Sequence, residues 1–257
     1  MYPSKFSSRA CRRGQSRNGE RGLVAIANAP ARRFAKARII AKSYRHLWPQ
    51  VCDWDNLLLA YRRCRRGKRF TPDATAFDWT WQPNLVCLGR ELRDGSYQPG
   101  EYHNFWMYKR QVHHALVQVL EPLFDRRFVF DSYACRRGKG TQAAWQRAHQ
   151  FVKQYPFVLK TDIVKFFPNV DHAVLLQLLG RTIADDDVMK LIQRIVASGE
   201  GILSDEATPA YFPGDDLFAV LRPKGLPIGN LTSQFFANVL LDQIDHAIKD
   251  QWRVPGY

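Results

Sequence analysis

The sequence predicts an α+β fold in which a small antiparallel sheet packs on helices. Apolar residues recur at helical spacing through most of the chain, and one stretch, 157–163, has the composition of a strand. This order of helices around a strand differs from the regular alternation of a doubly wound sheet. The chain has 257 residues, 46% of them apolar, so it is long enough to bury a sizeable core.

Four helices are predicted before the strand, because apolar residues share one face in each of them. Asp53 precedes the first helix and Gly67 ends it. Thr141 is the expected N-cap of the fourth. The predicted ranges are 53–67, 83–95, 111–125 and 141–154.

The predicted strand, 157–163, carries alternating side chains, with Val158, Lys160 and Asp162 on one face. Asp171 is a suitable N-cap for the next helix. The ranges predicted after the strand are helices over 171–179, 184–199 and 231–250, with a loop over 200–224.

The net charge of +14 and the isoelectric point of about 9.8 favour a polyanionic partner. Residues 1–45 hold twelve Lys or Arg and a single acid, Glu20, and predict a mobile basic arm. Two further clusters are candidate nucleic-acid-binding residues: Arg62, Arg63, Arg65, Arg66, Lys68 and Arg69, then Arg136, Arg137 and Lys139. The alternatives are a merely soluble basic surface or an anionic membrane surface. Nearby aromatics favour nucleic acid, because bases stack on aromatic rings.

The cysteines and the apolar runs exclude other classes. Five cysteines without C-x-x-C spacing indicate neither a disulfide framework nor a zinc site. The chain has no apolar run long enough for a membrane span. The apolar stretch Leu23–Ala31 is too short and too interrupted for a signal peptide, so we expect a cytoplasmic protein.

Two segments are candidates for chemistry. In Lys160–His172, the carboxylate of Asp162 and the next carbonyl, that of Ile163, are hard oxygen ligands for Mg²⁺. In Gly225–Asn238, a glycine loop opens a helix and offers free N–H groups. Taken singly, the first is equally a strand-terminal turn and the second an ordinary loop-to-helix junction.

In this order, the two segments resemble the palm motifs of reverse transcriptases. The resemblance makes Asp162 the first catalytic aspartate and Phe167 the side chain that crowds a ribose 2′-hydroxyl. Pro227, Ile228 and Gly229 match the loop against the incoming nucleotide and template base. The stretch 131–141 resembles the block that precedes the catalytic strand. The resemblance covers most of residues 46–257.

One position narrows the resemblance to the reverse transcriptases of diversity-generating retroelements. Ile228 stands before the loop glycine where most of the family has Gln, and Ser233-Gln234 stands where most have Ser-Pro. Without the Gln amide near the templating base pair, discrimination against mispaired bases would be weaker.

Two departures indicate a truncated and internally shortened member. The family's aromatic-x-Asp-Asp motif is expected where the chain stops, at Tyr257, and the thumb is missing. The basic block before the third predicted helix is reduced to Lys109 and Arg110, although that block normally grips the triphosphate.

The resemblance implies the fingers and part of the palm of a right-hand polymerase. We expect helical fingers over 46–156 and a partial palm over 157–257. The implied activity is RNA-directed DNA synthesis from deoxynucleoside triphosphates with two Mg²⁺. The implied partners are an RNA template, nascent DNA and a small basic accessory protein, without a membrane. Because the second aspartate motif is missing, we expect little activity from this chain alone.

Two other functions stay open. The chain is alternatively a catalytically inactive, nucleic-acid-binding remnant, or a basic structural protein with coincidental motifs. Other polar residues have simpler explanations: first-turn acids complementing a helix dipole (Asp185, Asp186 and Asp187), adjacent histidines that point apart (His113 and His114), turn chemistry (His172), and a solvated helix face (Asp242 and Asp245).

Overall fold

The computed structural model describes residues 43–66, 72–99, 106–207 and 215–257. Residues 1–42 of the predicted basic arm lie outside these ranges, as do Lys68 and Arg69. The described part contains these α-helices: α1 Trp48–Val51, α2 Trp54–Arg65, α3 Pro72–Trp79, α4 Trp81–Arg93, α5 Trp106–Asp125, α6 Thr141–Gln154, α7 His172–Gly180, α8 Asp186–Ala197 and α9 Leu231–His246.

The core is built around α5, which packs against α2 on one side and α9 on another. Its apolar stripe, which includes Val112, Leu116 and Leu120, is fully buried. The ring of Phe124 meets that of Phe235 on α9 edge-on, with centroids 5.3 Å apart. Each fully buried aliphatic side chain of this kind contributes roughly 1.5–3 kcal/mol, so the packing of α5 contributes substantially to stability.

Three aspartates begin helices as N-caps. Asp53 accepts hydrogen bonds from two first-turn N–H groups of α2, and Asp171 accepts one from Val174 of α7. Asp185 caps α8 and also accepts from the backbone of Leu47 at 2.7 Å. Burial disfavours the charged form of Asp185, but these backbone donors outweigh burial and lower its pKa. Asp186 and Asp187 lie in the first turn of α8, where acids complement the helix dipole.

The predicted antiparallel sheet is wrong: the described residues are helical, without a strand or sheet. The segment 157–163 is not a strand, and its residues are all exposed. A strand persists only when a neighbour pairs with its backbone N–H and C=O groups. The only ladder-type pairs in the described part are two isolated bridges, Tyr44 with Ile183 and Asp171 with Lys224.

Smaller differences concern helix ends and one acid. The helix predicted over 231–250 is α-helical to His246 and continues as a π-helical turn, Ala247–Gln251. Gly140, not Thr141, occupies the N-cap position of α6. Asp242 is buried rather than solvated. No helix in the described ranges is both long enough and apolar enough to span a membrane.

Candidate functional site

The two motif segments lie side by side. Leu226 N–H donates to the Phe167 carbonyl at 3.0 Å, and Gly225 N–H donates to the Val170 carbonyl at 2.9 Å. In the other direction, His172 N–H donates to the Pro223 carbonyl at 3.2 Å. The turn after the predicted strand is thus hydrogen-bonded to the glycine loop.

The side chain of His172 reinforces this junction. It is buried, and its Nε2 lies 2.7 Å from the Gly225 carbonyl oxygen. Because a carbonyl only accepts hydrogen bonds, this contact requires the proton on Nε2. Gly225 itself has a φ of 102°, a conformation that side chains strain. His172 therefore supports the loop structurally, in agreement with the sequence interpretation.

The glycine loop is anchored at one end and open at the other. Pro227 is buried against Gly199, which follows α8; a Cβ added to Gly199 would lie 2.6 Å from the Pro227 Cδ. Ile228 is 60% exposed, and Gly229 is exposed with a φ of 96°. The loop thus presents Ile228 and Gly229 to solvent from a fixed base.

A buried pair ties the first turn of α9 to the core helix α5. His113 Nδ1 lies 2.6 Å from Thr232 Oγ1, and both residues are buried. Burial, with a smaller repulsion from Lys109, lowers the pKa of His113 to about 3, so its ring is neutral at physiological pH. This partner is not predicted from the sequence. The position of His113 beside the apolar stripe of α5 indicates that its ring is buried, but not what it contacts.

Asp162, the predicted catalytic aspartate, lies in the exposed segment together with Ile163. No hydrogen bond or ion pair from another described residue reaches its carboxylate. Nowhere in the described ranges do three His, Cys, Asp or Glu side chains gather as a metal site. A two-ion centre needs several carboxylate oxygens close together, so the described residues do not fit a pair of magnesium ions.

The third basic cluster serves two different purposes. The side chain of Arg136 is only 7% exposed, and its guanidinium is bonded to Asp125 and to the carbonyls of Val129 and Ser132. Lys139 donates to the Phe130 carbonyl and sits 3.6 Å above the ring centroid of Phe130. Arg137 and the Phe130 ring are exposed. Arg136 therefore supports the fold, while its neighbours offer charge and an aromatic face.

The arginines at the end of α2 lie in three different environments. Arg65 Nε bonds to Asp78 at 2.6 Å. Arg63 lines a cavity of about 180 Å³ beside His114 on α5. Arg62 and Arg66 are exposed and have no acidic partner in the described part of the chain. Arg62 and Arg66 therefore place positive charge at the surface of this region.

A large apolar cavity of about 710 Å³ lies between α6, the exposed segment and the C-terminal residues 252–257. At its edge, the side chain of Asp131 is 5% exposed and accepts from Arg147 at 2.8 Å and Lys249 at 3.1 Å. Burial opposes ionisation of Asp131, but these donors outweigh burial and lower its pKa. The carboxylate therefore ties α6 to the π-helical turn after α9.

The chain is similar in sequence to intron proteins. No protein-family model matches it. It is 24% identical over 215 residues to the COX1/OXI3 intron 1 protein of Saccharomyces cerevisiae, covering 76% of this chain and 24% of that protein. It is 29% identical over 84 residues to nuclear intron maturase 1, mitochondrial, of Arabidopsis thaliana, covering 33% and 12%.

A third similarity is to the COX1/OXI3 intron 2 protein of Saccharomyces cerevisiae. The two are 20% identical over 141 residues, which cover 55% of this chain and 15% of that protein. The chain thus spans about a quarter or less of the length of these relatives. At these identities and coverages, the chain is similar to intron proteins and an intron maturase.

Proposed function

We propose that this chain is related to reverse transcriptases and binds RNA. Its RNA partner would be of the kind that intron maturases bind. The observation that carries the proposal is the pairing of 167–172 with 223–226, which brings the two motif segments together in the order the resemblance requires. The intron relatives and the net charge of +14 support the same class of partner.

At the site, the chain's own residues would position a template. Gly229, with no side chain, allows the backbone to approach a base pair closely. Ile228 would contact the pair through an aliphatic surface, without the hydrogen bonds of an amide. Phe167 would border the nucleotide, and Pro227, which is buried against Gly199, would fix the base of the loop. We also propose, from Ile228, a relation to the reverse transcriptases of diversity-generating retroelements.

DNA synthesis is the finer part of the proposal. In an assembled polymerase, Asp162 and the Ile163 carbonyl would hold Mg²⁺, which lowers the pKa of a nucleophile and neutralises phosphate charge. The further carboxylate ligands that such a metal centre needs do not lie around Asp162 among the described residues. We therefore propose that this chain binds RNA, and nascent DNA paired with it, but does not extend a primer on its own.

The remaining partners follow from the same proposal. Deoxynucleoside triphosphates and a small basic accessory protein belong to the assembled polymerase rather than to this chain alone. We propose the cytoplasm as the location, although the Arabidopsis relative is named as mitochondrial.

RNA binding is tested by titrating the full chain with labelled RNA at increasing salt. We expect micromolar or tighter affinity at low salt, and a log–log slope that gains roughly 0.7–0.9 for each neutralised phosphate. Undetectable binding at low salt, or binding that salt does not weaken, contradicts the proposal.

Catalysis is tested by primer extension on an RNA template with Mg²⁺, using the unmodified chain, Asp162→Ala and, as a control, Asp205→Ala in an exposed 3-10 turn. All three should bind RNA equally and extend no primer. If the unmodified chain and the control extend primers while Asp162→Ala does not, the chain is a polymerase by itself and the inactive assignment is wrong.

A further inference from the structure

The unpartnered arginines of α2 border a cavity that the motif segments do not touch. It has a volume of about 490 Å³ and lies between α2 and the start of α4. This size is within the range of small-ligand sites. The lining residues are Leu58, Tyr61, Arg62, Arg65, Arg66 and Trp81.

One wall of the cavity is a fixed pair of aromatic rings. Tyr61 and Trp81 stack with centroids 5.5 Å apart and planes within 6°. The Tyr61 hydroxyl donates to Asp78 at 2.5 Å, and burial together with that carboxylate raises its pKa to about 12. Tyr61 is buried, whereas Trp81 is half-buried. The stack therefore holds the Trp81 ring in place before any ligand arrives.

Three arginines that also line the cavity, Arg62, Arg65 and Arg66, give it positive charge. Asp78 neutralises Arg65, but Arg62 and Arg66 have no acidic partner within the described ranges. They are four residues apart, a spacing at which like charges repel along a helix. Cations near the end of a helix do complement its dipole. That effect explains the sign of the charge, but it does not explain why both arginines line the same cavity as the stacked rings of Tyr61 and Trp81.

We propose that this cavity binds one nucleotide of a single-stranded RNA, with its base stacked on Trp81 and its flanking phosphates held by Arg62 and Arg66. Guanidinium groups bind phosphate oxygens through paired N–H donors. Bases of single strands stack on aromatic side chains, and duplex bases are not available for stacking. An acidic peptide would use the arginines only. The inference rests on the proposed RNA binding and locates one of its contacts.

The stacking half of the proposal is tested with two probes of about 12 nucleotides, a single-stranded RNA and an abasic strand of equal length. Fluorescence anisotropy gives the affinity of each. Trp81→Leu should weaken RNA binding roughly 5- to 160-fold, because stacking on one base is worth about 1–3 kcal/mol, and should leave the abasic strand unaffected. Trp79→Leu is the matched control, since Trp79 is 91% exposed and lies outside the cavity.

The phosphate half is tested by the salt dependence of affinity. Arg62→Ala combined with Arg66→Ala should lower the log–log slope by about 1.4 for both probes, because each lost phosphate contact to a single strand removes roughly 0.7. Arg90→Ala removes an exposed arginine of α4 outside the cavity and should leave the slope unchanged. Trp81→Leu should also leave the slope unchanged, which separates stacking from charge.

A third measurement does not depend on the variants folding. RNA containing 4-thiouridine, photo-crosslinked to the unmodified full chain, should attach within the peptides that contain Tyr61 or Trp81. Crosslinks confined to other peptides overturn the proposal. So does an equal effect of Trp81→Leu on both probes, or a slope change in the arginine pair no larger than in Arg90→Ala. If the unmodified chain binds RNA while these results fail, only the cavity assignment is lost. If it binds no RNA, the proposed function fails as well.

Discussion

The helix pair α5–α9 and the segment 152–165 are both rich in apolar residues, yet their surroundings are opposite. α5 packs its buried apolar stripe against α2 and α9, and α9 also packs against α7. Every residue of 152–165 is exposed, with Phe157 at 89% and Leu159 at 88%. An apolar pattern thus indicates that a segment is suited to burial, but it does not say which neighbour will bury it.

The difference has its origin in the backbone. A helix satisfies its N–H and C=O groups internally, so α5 needs only side-chain packing from its neighbours. An extended segment needs a second backbone as well as packing. Since the described residues place no extended neighbour beside 157–163, the segment keeps strand-like composition without becoming a strand.

The largest expected effect is on stability, and it comes from truncating a leucine in each of the two regions. Leu116→Ala on α5 should lower the free energy of unfolding by about 2–5 kcal/mol, because it removes buried methyl groups and leaves a cavity. Leu159→Ala should change it by less than about 0.5 kcal/mol, because that side chain is already in water. Urea unfolding of both variants measures the difference. A large loss in Leu159→Ala would mean that the segment is buried in solution.

The second prediction concerns the anchored base of the glycine loop. Gly199→Ala should cost roughly 1–3 kcal/mol, because the new methyl group would meet the Pro227 ring at 2.6 Å and force the loop to move. Gly180→Ala is the control, since its Cβ would find nothing nearer than 3.9 Å. Thermal unfolding gives the cost. Equal melting temperatures for the two variants would show that Pro227 does not rest on Gly199.

Sequence reasoning succeeded where a local signal decides the structure. The cap Asp171 and the apolar stripe of α5 were predicted from short-range patterns, and the structure confirms them. It failed where the outcome depends on a distant neighbour. The strand at 157–163 lacks a described partner.

Two contacts within the site illustrate the same limit. The pairing of His113 with Thr232 and the contact of Gly199 with Pro227 join residues far apart in the chain. Their sequence neighbours give no sign of the partner. The side-by-side placement of 167–172 and 223–226 followed only from the ordered motifs.

The third prediction is a pH dependence of the buried helix pair. The folded-state pKa of His113 is about 3, below its ordinary 6.5. As the pH falls below 6.5, the unfolded chain therefore binds a proton at this residue that the native state does not bind. This contribution to stability is complete above pH 6.5 and is lost as the pH falls below it, by about 1.4 kcal/mol at one pH unit lower. His113→Gln keeps a polar partner for Thr232 without titrating. Its stability should fall less between pH 7.5 and 5.5 than that of the unmodified chain, as measured by urea unfolding at both values.

The smallest effect concerns Asp242, the acid on α9 that the sequence placed in solvent. Burial raises the pKa of its carboxyl from 3.8 to about 6, and one carboxylate oxygen is buried without a hydrogen-bond partner. The nearest cation, His246, lies 3.4 Å away and compensates only when protonated. Because the folded-state pKa is the higher one, this group's contribution to stability is complete below pH 3.8 and is lost as the pH rises through 6.

Asp242→Asn removes the buried charge and should therefore raise the free energy of unfolding at pH 7.5 by about 1 kcal/mol, allowing for the lost attraction to His246. At pH 4 the native carboxyl is already neutral, so there the variant and the unmodified chain should be nearly equally stable. Asp245→Asn is a weaker control, because Asp245 is only half-buried and accepts a hydrogen bond from Tyr257; it should gain nothing at pH 7.5. Urea unfolding of the three proteins at both pH values makes the comparison. A gain in Asp242→Asn that is equally large at pH 4 would mean that packing, rather than the buried charge, sets the cost of Asp242 in the core.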